Sequence, residues 1–136
     1  GYNYNFNEGL GFSQVNEWMV SGPNIMPVSG GVNPTQGMDG WKSEFKHESE
    51  IIQPGYHRLF LDRYKTWVEY TATDRVTFYR LNYTSDKNAN LLVDIGSVLG
   101  NCSMDKGALL RISDKRIVGE FMTTERFWGG PDSLKL

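Results

Sequence analysis

The sequence predicts an all-β fold, an antiparallel β-sandwich with little helix, on three observations. β-branched and aromatic residues fill the regular segments, and Gly and Pro punctuate them. Several short runs alternate apolar with polar residues at a period of two. No window longer than about ten residues keeps the i, i+3, i+4, i+7 spacing of an amphipathic helix. A chain of 136 residues fits a single domain, residues 1–136, and at that size roughly two thirds of the unfolded surface can be buried.

The elements follow in order. Tyr2-Asn3-Tyr4-Asn5-Phe6-Asn7 alternates aromatic with amide side chains. Gly9, Gly11, Gly22, Gly30, Gly31, Gly37 and Gly40 then interrupt the chain, and Pro23, Pro27 and Pro34 add rigid bends. The first 50 residues are therefore expected to form long ordered loops over a sheet, and loops on a rigid scaffold often carry binding residues.

The clearest regular stretch runs from Gly55 to Tyr83. Tyr56-His57-Arg58-Leu59-Phe60-Leu61 precedes a polar turn, Asp62-Arg63-Tyr64-Lys65. Thr66 to Ala72 and Arg75 to Leu81 then alternate, which predicts a three-stranded meander. Val68, Tyr70, Ala72, Val76 and Phe78 are expected on its core face. Asn90 to Ile95 is a more continuous apolar run, suited to a central strand covered on both faces. Ala108-Leu109-Leu110-Arg111-Ile112 and Arg116 to Met122 flank Ser113-Asp114-Lys115, which predicts a second hairpin.

Composition narrows the function classes. Hydrophobic residues make up 39% of the chain and charged ones 22%, with a formal net charge of −2, the profile of an ordinary globular protein. The basic residues are scattered and form no stripe for nucleic acid. No apolar run approaches the roughly 20 residues of a membrane span, and no signal peptide is visible. The chain starts at Gly1 rather than Met, which points to an internal piece. The single Cys102 excludes an internal disulfide and a cysteine metal cluster. Asn82 and Asn101 match the glycosylation sequon, a triplet that arises easily by chance.

No catalytic signature is complete: there is no Gly-x-Ser-x-Gly, phosphate loop, His-Glu-x-x-His or EF-hand loop. His57 lies inside an alternating strand and reads as a face residue with a satisfied ring. His47, beside Glu48, could orient a ligand or make a structural hydrogen bond. Glu48 and Glu50, two apart, would share one face of a strand in a polar, solvated segment. The best ligand-facing candidate is Ser13-Gln14-Val15-Asn16-Glu17-Trp18. Sugars are held by an aromatic face against the ring, with amides and carboxylates meeting the hydroxyls. Trp18 beside Glu17 and Asn16 supplies that combination; alternatively Trp18 anchors its loop in the core. Trp41 and Trp128 carry the same two readings.

Several segments, in order, resemble the N-terminal domain of the family 92 glycoside hydrolases. Gly11-Phe12-Ser13 resembles a "GFSH" segment, and Asn24-Ile25-Met26-Pro27 an "MP" strand end. Ser43-Glu44-Phe45-Lys46-His47-Glu48-Ser49-Glu50 is similar to "SxFSHExE", and Pro54-Gly55-Tyr56 to "PGYY". Glu69 to Val76 is similar to "ELTATxRVG". The resemblance spans about residues 1–128. It implies an exo-acting, inverting, calcium-dependent bacterial α-mannosidase that trims mannose from N-glycans and is secreted, periplasmic or cell-surface. It also implies a larger helical domain, absent from this chain, which holds the catalytic acid, the base and the calcium ligands, with the active site in the cleft between the two domains. No catalytic or metal-ligating residue is then expected here, and this chain alone should be inactive.

The resemblance places Gln14, Asn16, Glu17 and Trp18 on the sugar-binding wall, facing mannose-containing glycans. Gln14 and Asn16 stand where many members carry histidine, a departure that bears on substrate preference. Leu134-Lys135-Leu136 resembles the opening of a strand that the family continues, so the domain is expected to be truncated at its C-terminus. The surface left by the missing partner domain should be an apolar patch within the first 50 residues, available for self-association. Two alternatives carry no hydrolase partner: a stand-alone carbohydrate-binding module, and a structural β-domain.

Overall fold

The computed structural model describes residues 3–13, 23–84, 88–96, 103–124 and 134–135. The all-β prediction holds: the strands pair antiparallel wherever their register is defined. Among the described residues the helical pieces are two short 3₁₀ segments, Pro34–Gly40 and His47–Ser49. The chain divides into two compact units, Gly1–Phe12 with Met26–Leu92, and Ser13–Ile25 with Val93–Leu136.

The first unit holds β1 (Glu8–Gly9), Phe12 of β2 (Phe12–Ser13) and Met26 to Ser29 of β3 (Asn24–Ser29), followed by β4 (Ser43–Glu44), which pairs with β1. Then come β5 (Ile51–Gln53), β6 (Tyr56–Leu61), β7 (Thr66–Ala72) and β8 (Thr77–Tyr83), a four-stranded sheet in sequence order. The expected meander from Gly55 to Tyr83 is the last three of these. The turn that precedes it, between β5 and β6, is tight because Pro54 presets φ and Gly55 takes φ 76°, the combination a type II turn requires. The strand β9 (Ala89–Asp94) sits at the edge of a sheet ordered β2, β3, β9.

Met26 and Val28 of β3, Leu59 and Leu61 of β6 and Val68 of β7 meet in one buried cluster, joined by Trp41 and Tyr64 from the connections. Residues of both sheets thus share one apolar layer, the sandwich arrangement within this unit. The indole N–H of Trp41 donates to the Leu10 carbonyl at 3.2 Å, and the Tyr64 hydroxyl donates to the Trp41 carbonyl at 2.8 Å. Polar ends are therefore satisfied where the rings are buried. Of the two readings of Trp41, the core one applies. Trp128 lies outside the described residues.

Among the described residues of the first 50, long connections alternate with short strands, and β3 carries Met26, Pro27 and Val28 into the core. Two expectations need correction. The Asn90 to Ile95 run is no central strand: β9 ends its sheet, and Ala89, Asn90 and Leu91 are exposed. In the meander Val68 is fully buried and Tyr70 partly so, but Ala72, Val76 and Phe78 are exposed. Cross-strand pairing decides this. Tyr70 faces Tyr79 and Val68 faces Leu81, so Tyr79 and Leu81 turn inward and Phe78, one residue away, must turn outward. Of the apolar patch expected in the first 50 residues, Tyr4 and Phe6 are exposed and residues 14–22 lie outside the described residues; Leu109, Leu110, Ile112, Ile117 and Val118 are exposed as well.

Those five lie in the second unit, on the expected hairpin of β10 (Ser103–Ser113) and β11 (Arg116–Thr124), joined by Asp114 and Lys115. A short strand β12 (Leu134–Lys135) adds to β11. Leu109 lies opposite Gly119, where an added Cβ would come within 2.6 Å of the Leu109 Cδ2. The glycine leaves room for the leucine to cross the ladder.

Candidate functional site

Gln14, Asn16, Glu17 and Trp18, the sugar-facing residues expected from the sequence, lie outside the described residues. Within the first unit, chemistry-bearing side chains collect in two places, on opposite faces of β6 and β7.

On the inner side, the 3₁₀ turn His47–Ser49 delivers Glu50 into a nearly closed position, its side chain 4% exposed. A buried carboxylate is costly unless its oxygens are engaged, and both are. His47 Nδ1 lies 2.7 Å from one oxygen, and His57 Nε2 lies 2.6 Å from the other. The second ring nitrogen of His57 meets the Tyr70 hydroxyl at 2.6 Å. One proton arrangement satisfies the whole chain: Tyr70 donates to His57 Nδ1, and His57 Nε2–H and His47 Nδ1–H donate to Glu50. Burial, reinforced by Tyr79 and the Glu50 charge, holds the Tyr70 phenol above its ordinary pKa, so it remains a donor.

Aromatic rings close the surroundings. Tyr4 stacks on His47 at 4.2 Å between centroids, and Phe45 meets the same ring edge-on at 5.2 Å. Phe12 packs edge-on against Tyr70 and Tyr79.

The satisfied ring expected for His57 is observed, and His47 makes a structural hydrogen bond. Glu48 is exposed, as expected for a solvated side chain. Glu50 is the correction: the segment is a 3₁₀ turn rather than a strand, and the turn separates Glu48 from a buried Glu50. Its two oxygens are occupied and shielded, so in this arrangement Glu50 serves as the acceptor for the two histidines. The cluster is a brace that ties the 3₁₀ turn to β6 and β7.

On the outer face, Glu69 takes the centre. It pairs across the ladders with Arg58 on β6 and Arg80 on β8. The Tyr56 hydroxyl donates to Glu69 Oε1 at 3.2 Å, and Arg80 Nη1 donates to Glu69 Oε2 at 3.2 Å. The Arg58 guanidinium lies over the Trp67 ring, 3.9 Å from its centroid, a cation–π contact. Sequence reasoning singled out none of these polar residues for binding. The signal was available in the polar phase of the alternation, Glu69 and Thr71 against Arg80 and Asn82. Among the described residues no group of three or more His, Cys, Asp or Glu side chains is placed to hold a metal ion, and no helix is long and apolar enough to cross a membrane.

The sequence matches the glycosyl hydrolase family 92 N-terminal domain over residues 1–135. Two solved structures share the fold closely. A family GH92 α-mannosidase from Bacteroides thetaiotaomicron in complex with mannoimidazole is 26% identical, with a TM-score of 0.78 over 90% of this chain and 17% of that one. A second structure of that α-mannosidase is 25% identical, with a TM-score of 0.79 over 90% of this chain and 18% of that one. The chain therefore spans less than a fifth of the length of these relatives. No curated protein sequence matches it closely.

Proposed function

The chain belongs to glycosyl hydrolase family 92, whose N-terminal domain it represents, and on that premise we propose that it forms the non-catalytic wall of an α-mannosidase cleft. The supporting observation is the agreement in fold, over 90% of this chain, with an α-mannosidase in complex with mannoimidazole. In this reading the parent polypeptide is a secreted, periplasmic or cell-surface bacterial exo-mannosidase acting on mannose-containing glycans with inversion. Gln14, Asn16, Glu17 and Trp18 contact the sugar, Trp18 through its ring face and the other three through hydroxyl hydrogen bonds.

The acid and base carboxylates of an inverting hydrolase stand on opposite sides of the scissile bond. Here they belong to the larger partner domain of the same polypeptide, which also covers the apolar residues exposed on the β10–β11 hairpin. Calcium would polarise or orient the substrate from that partner domain, and no step is assigned to it on this chain. The wall residues need only position the sugar and exclude water, which lowers the barrier through orientation.

The test compares this chain with the complete polypeptide, using an aryl α-mannoside in the presence of calcium. The chain alone should release no sugar and the complete polypeptide should. In the latter, Trp18→Ala should lower kcat/KM by about tenfold or more, a loss of roughly 1.4 kcal/mol in transition-state binding, with the melting temperature unchanged. Equal loss of folding and activity would instead assign Trp18 to the core. Turnover by the chain alone would overturn the division of labour.

A further inference from the structure

The outer face of the four-stranded sheet presents a combination that the loop-wall reading does not use. Phe78 is 72% exposed on a strand whose pairing places it outward beside Arg80. Its cross-strand neighbour is Thr71. Tyr56, Glu69, Thr71, Phe78 and Arg80 line a shallow depression of about 250 Å³. The hydrogen bonds from Tyr56 and Arg80 fix the Glu69 carboxylate from two sides. The Arg80 side chain is 83% exposed, so most of the guanidinium faces solvent.

We propose that this depression is a saccharide-binding site, separate from residues 14–18, that takes a neutral pyranoside of a glycan. A pyranose offers one apolar C–H face and a rim of hydroxyls that both donate and accept. The open Phe78 ring matches the first. Adjacent oxygens of Glu69 and Tyr56, together with the outward N–H groups of Arg80, match a vicinal diol on the second. The contributing residues stand on three consecutively paired strands, so the site is preformed and little ordering is required on binding.

Charge selects against other occupants. Glu69 lies between the two guanidinium groups and offsets one of their two charges, which weakens their pull on a phosphate or carboxylate. Protein–protein joints are depleted of Glu at their centre, whereas here Glu69 occupies the centre and Arg80, the outermost charge, is exposed.

The inference does not rest on the role of Trp18, and the test separates the two. Amide shifts of this chain are followed by NMR during titration with methyl α-mannopyranoside and with a mannotriose, to concentrations on the order of 10 mM. Saturable shifts centred on Thr71, Phe78 and Arg80 are expected. Phe78→Ala should weaken binding about tenfold or more with the melting temperature unchanged, since its ring is exposed. Arg80→Ala should weaken it similarly, again without loss of stability. No saturable shift at these residues, or undiminished binding by Phe78→Ala, overturns the proposal. So does burial of Phe78 in the complete polypeptide, read as a lowered melting temperature for Phe78→Ala there.

Discussion

Replacing Glu50 with alanine removes the acceptor on which two histidines converge, and the structure lets the cost be worked out. Two hydrogen bonds to a charged group contribute about 1.5–3 kcal/mol each, and here they run to His47 at 2.7 Å and His57 at 2.6 Å. Against that loss, the variant no longer has to desolvate a carboxylate. Leaving a buried ring N–H of each histidine unsatisfied costs about 1–3 kcal/mol per group, which places the net cost at about 3–5 kcal/mol. The larger end is favoured because the aromatic rings of Tyr4 and Phe45 crowd His47 and limit its access to water.

Urea unfolding, monitored by tryptophan fluorescence, should therefore show a loss of about 3–5 kcal/mol for Glu50→Ala, and a melting temperature lowered by about 10 °C or more. Glu50→Gln should cost less, about 1–2 kcal/mol. Its amide oxygen still accepts from one histidine, but its NH₂ group meets a ring N–H of the other. In a His57→Ala background the further cost of Glu50→Ala should shrink, since one bond is already gone. A Glu50→Ala protein within about 0.5 kcal/mol of the parent would refute the brace, and so would strict additivity with His57→Ala.

Two further predictions rest on single atoms. An alanine Cβ at Gly40 would overlap the Asn33 carbonyl oxygen, so Gly40→Ala should cost about 1–3 kcal/mol, while Gly31→Ala, in open space, should be near neutral by thermal melting. Burial raises the Tyr64 phenol above its unfolded value of 10.0. The folded state then holds its proton more tightly, and the stabilisation present below pH 10 is lost as pH rises from there through the folded value. Tyr64→Phe should lose about 1 kcal/mol at neutral pH, from the hydrogen bond to Trp41, and should show a shallower alkaline decline in the unfolding midpoint.

The strands that were legible in the sequence are those whose period-two pattern is local. The meander from Tyr56 to Tyr83 and the hairpin around Asp114 and Lys115 each sit between short polar turns, and both are present. Which face of β8 points inward was not legible from Val76 and Phe78, because both phases of the strand contain an aromatic residue. The ladder decided it, by setting Tyr79 against Tyr70 and Leu81 against Val68. Glycine- and proline-rich surroundings obscured the extent of β3: the resemblance marked a strand end at Asn24 to Pro27, and Met26, Pro27 and Val28 are all buried.

Glu50 illustrates a different limit. Its burial depends on His57, seven residues away, and on His47 at the start of a 3₁₀ turn, a meeting no spacing rule announces. Family motifs marked the same segment, Ser43 to Glu50, without saying what it does.

The two clusters divide β7 between them at its shortest interval. Tyr70 points inward to His57, and Glu69, one residue earlier, points outward to Tyr56 and Arg80. A strand's side-chain period forces this split, so a one-residue slip of β7 would bury Glu69 and expose Tyr70 together. The Glu50 brace opposes that slip from inside. It fixes His57 against Tyr70 and so holds β6 and β7 in the pairing that also sets Arg58 opposite Glu69. The outer arrangement needs no buried support of its own. Its geometry is inherited from a register that the inner hydrogen bonds and the burial of Leu59, Leu61 and Val68 already specify, which leaves residues such as Phe78 and Arg80 free of any duty to the core.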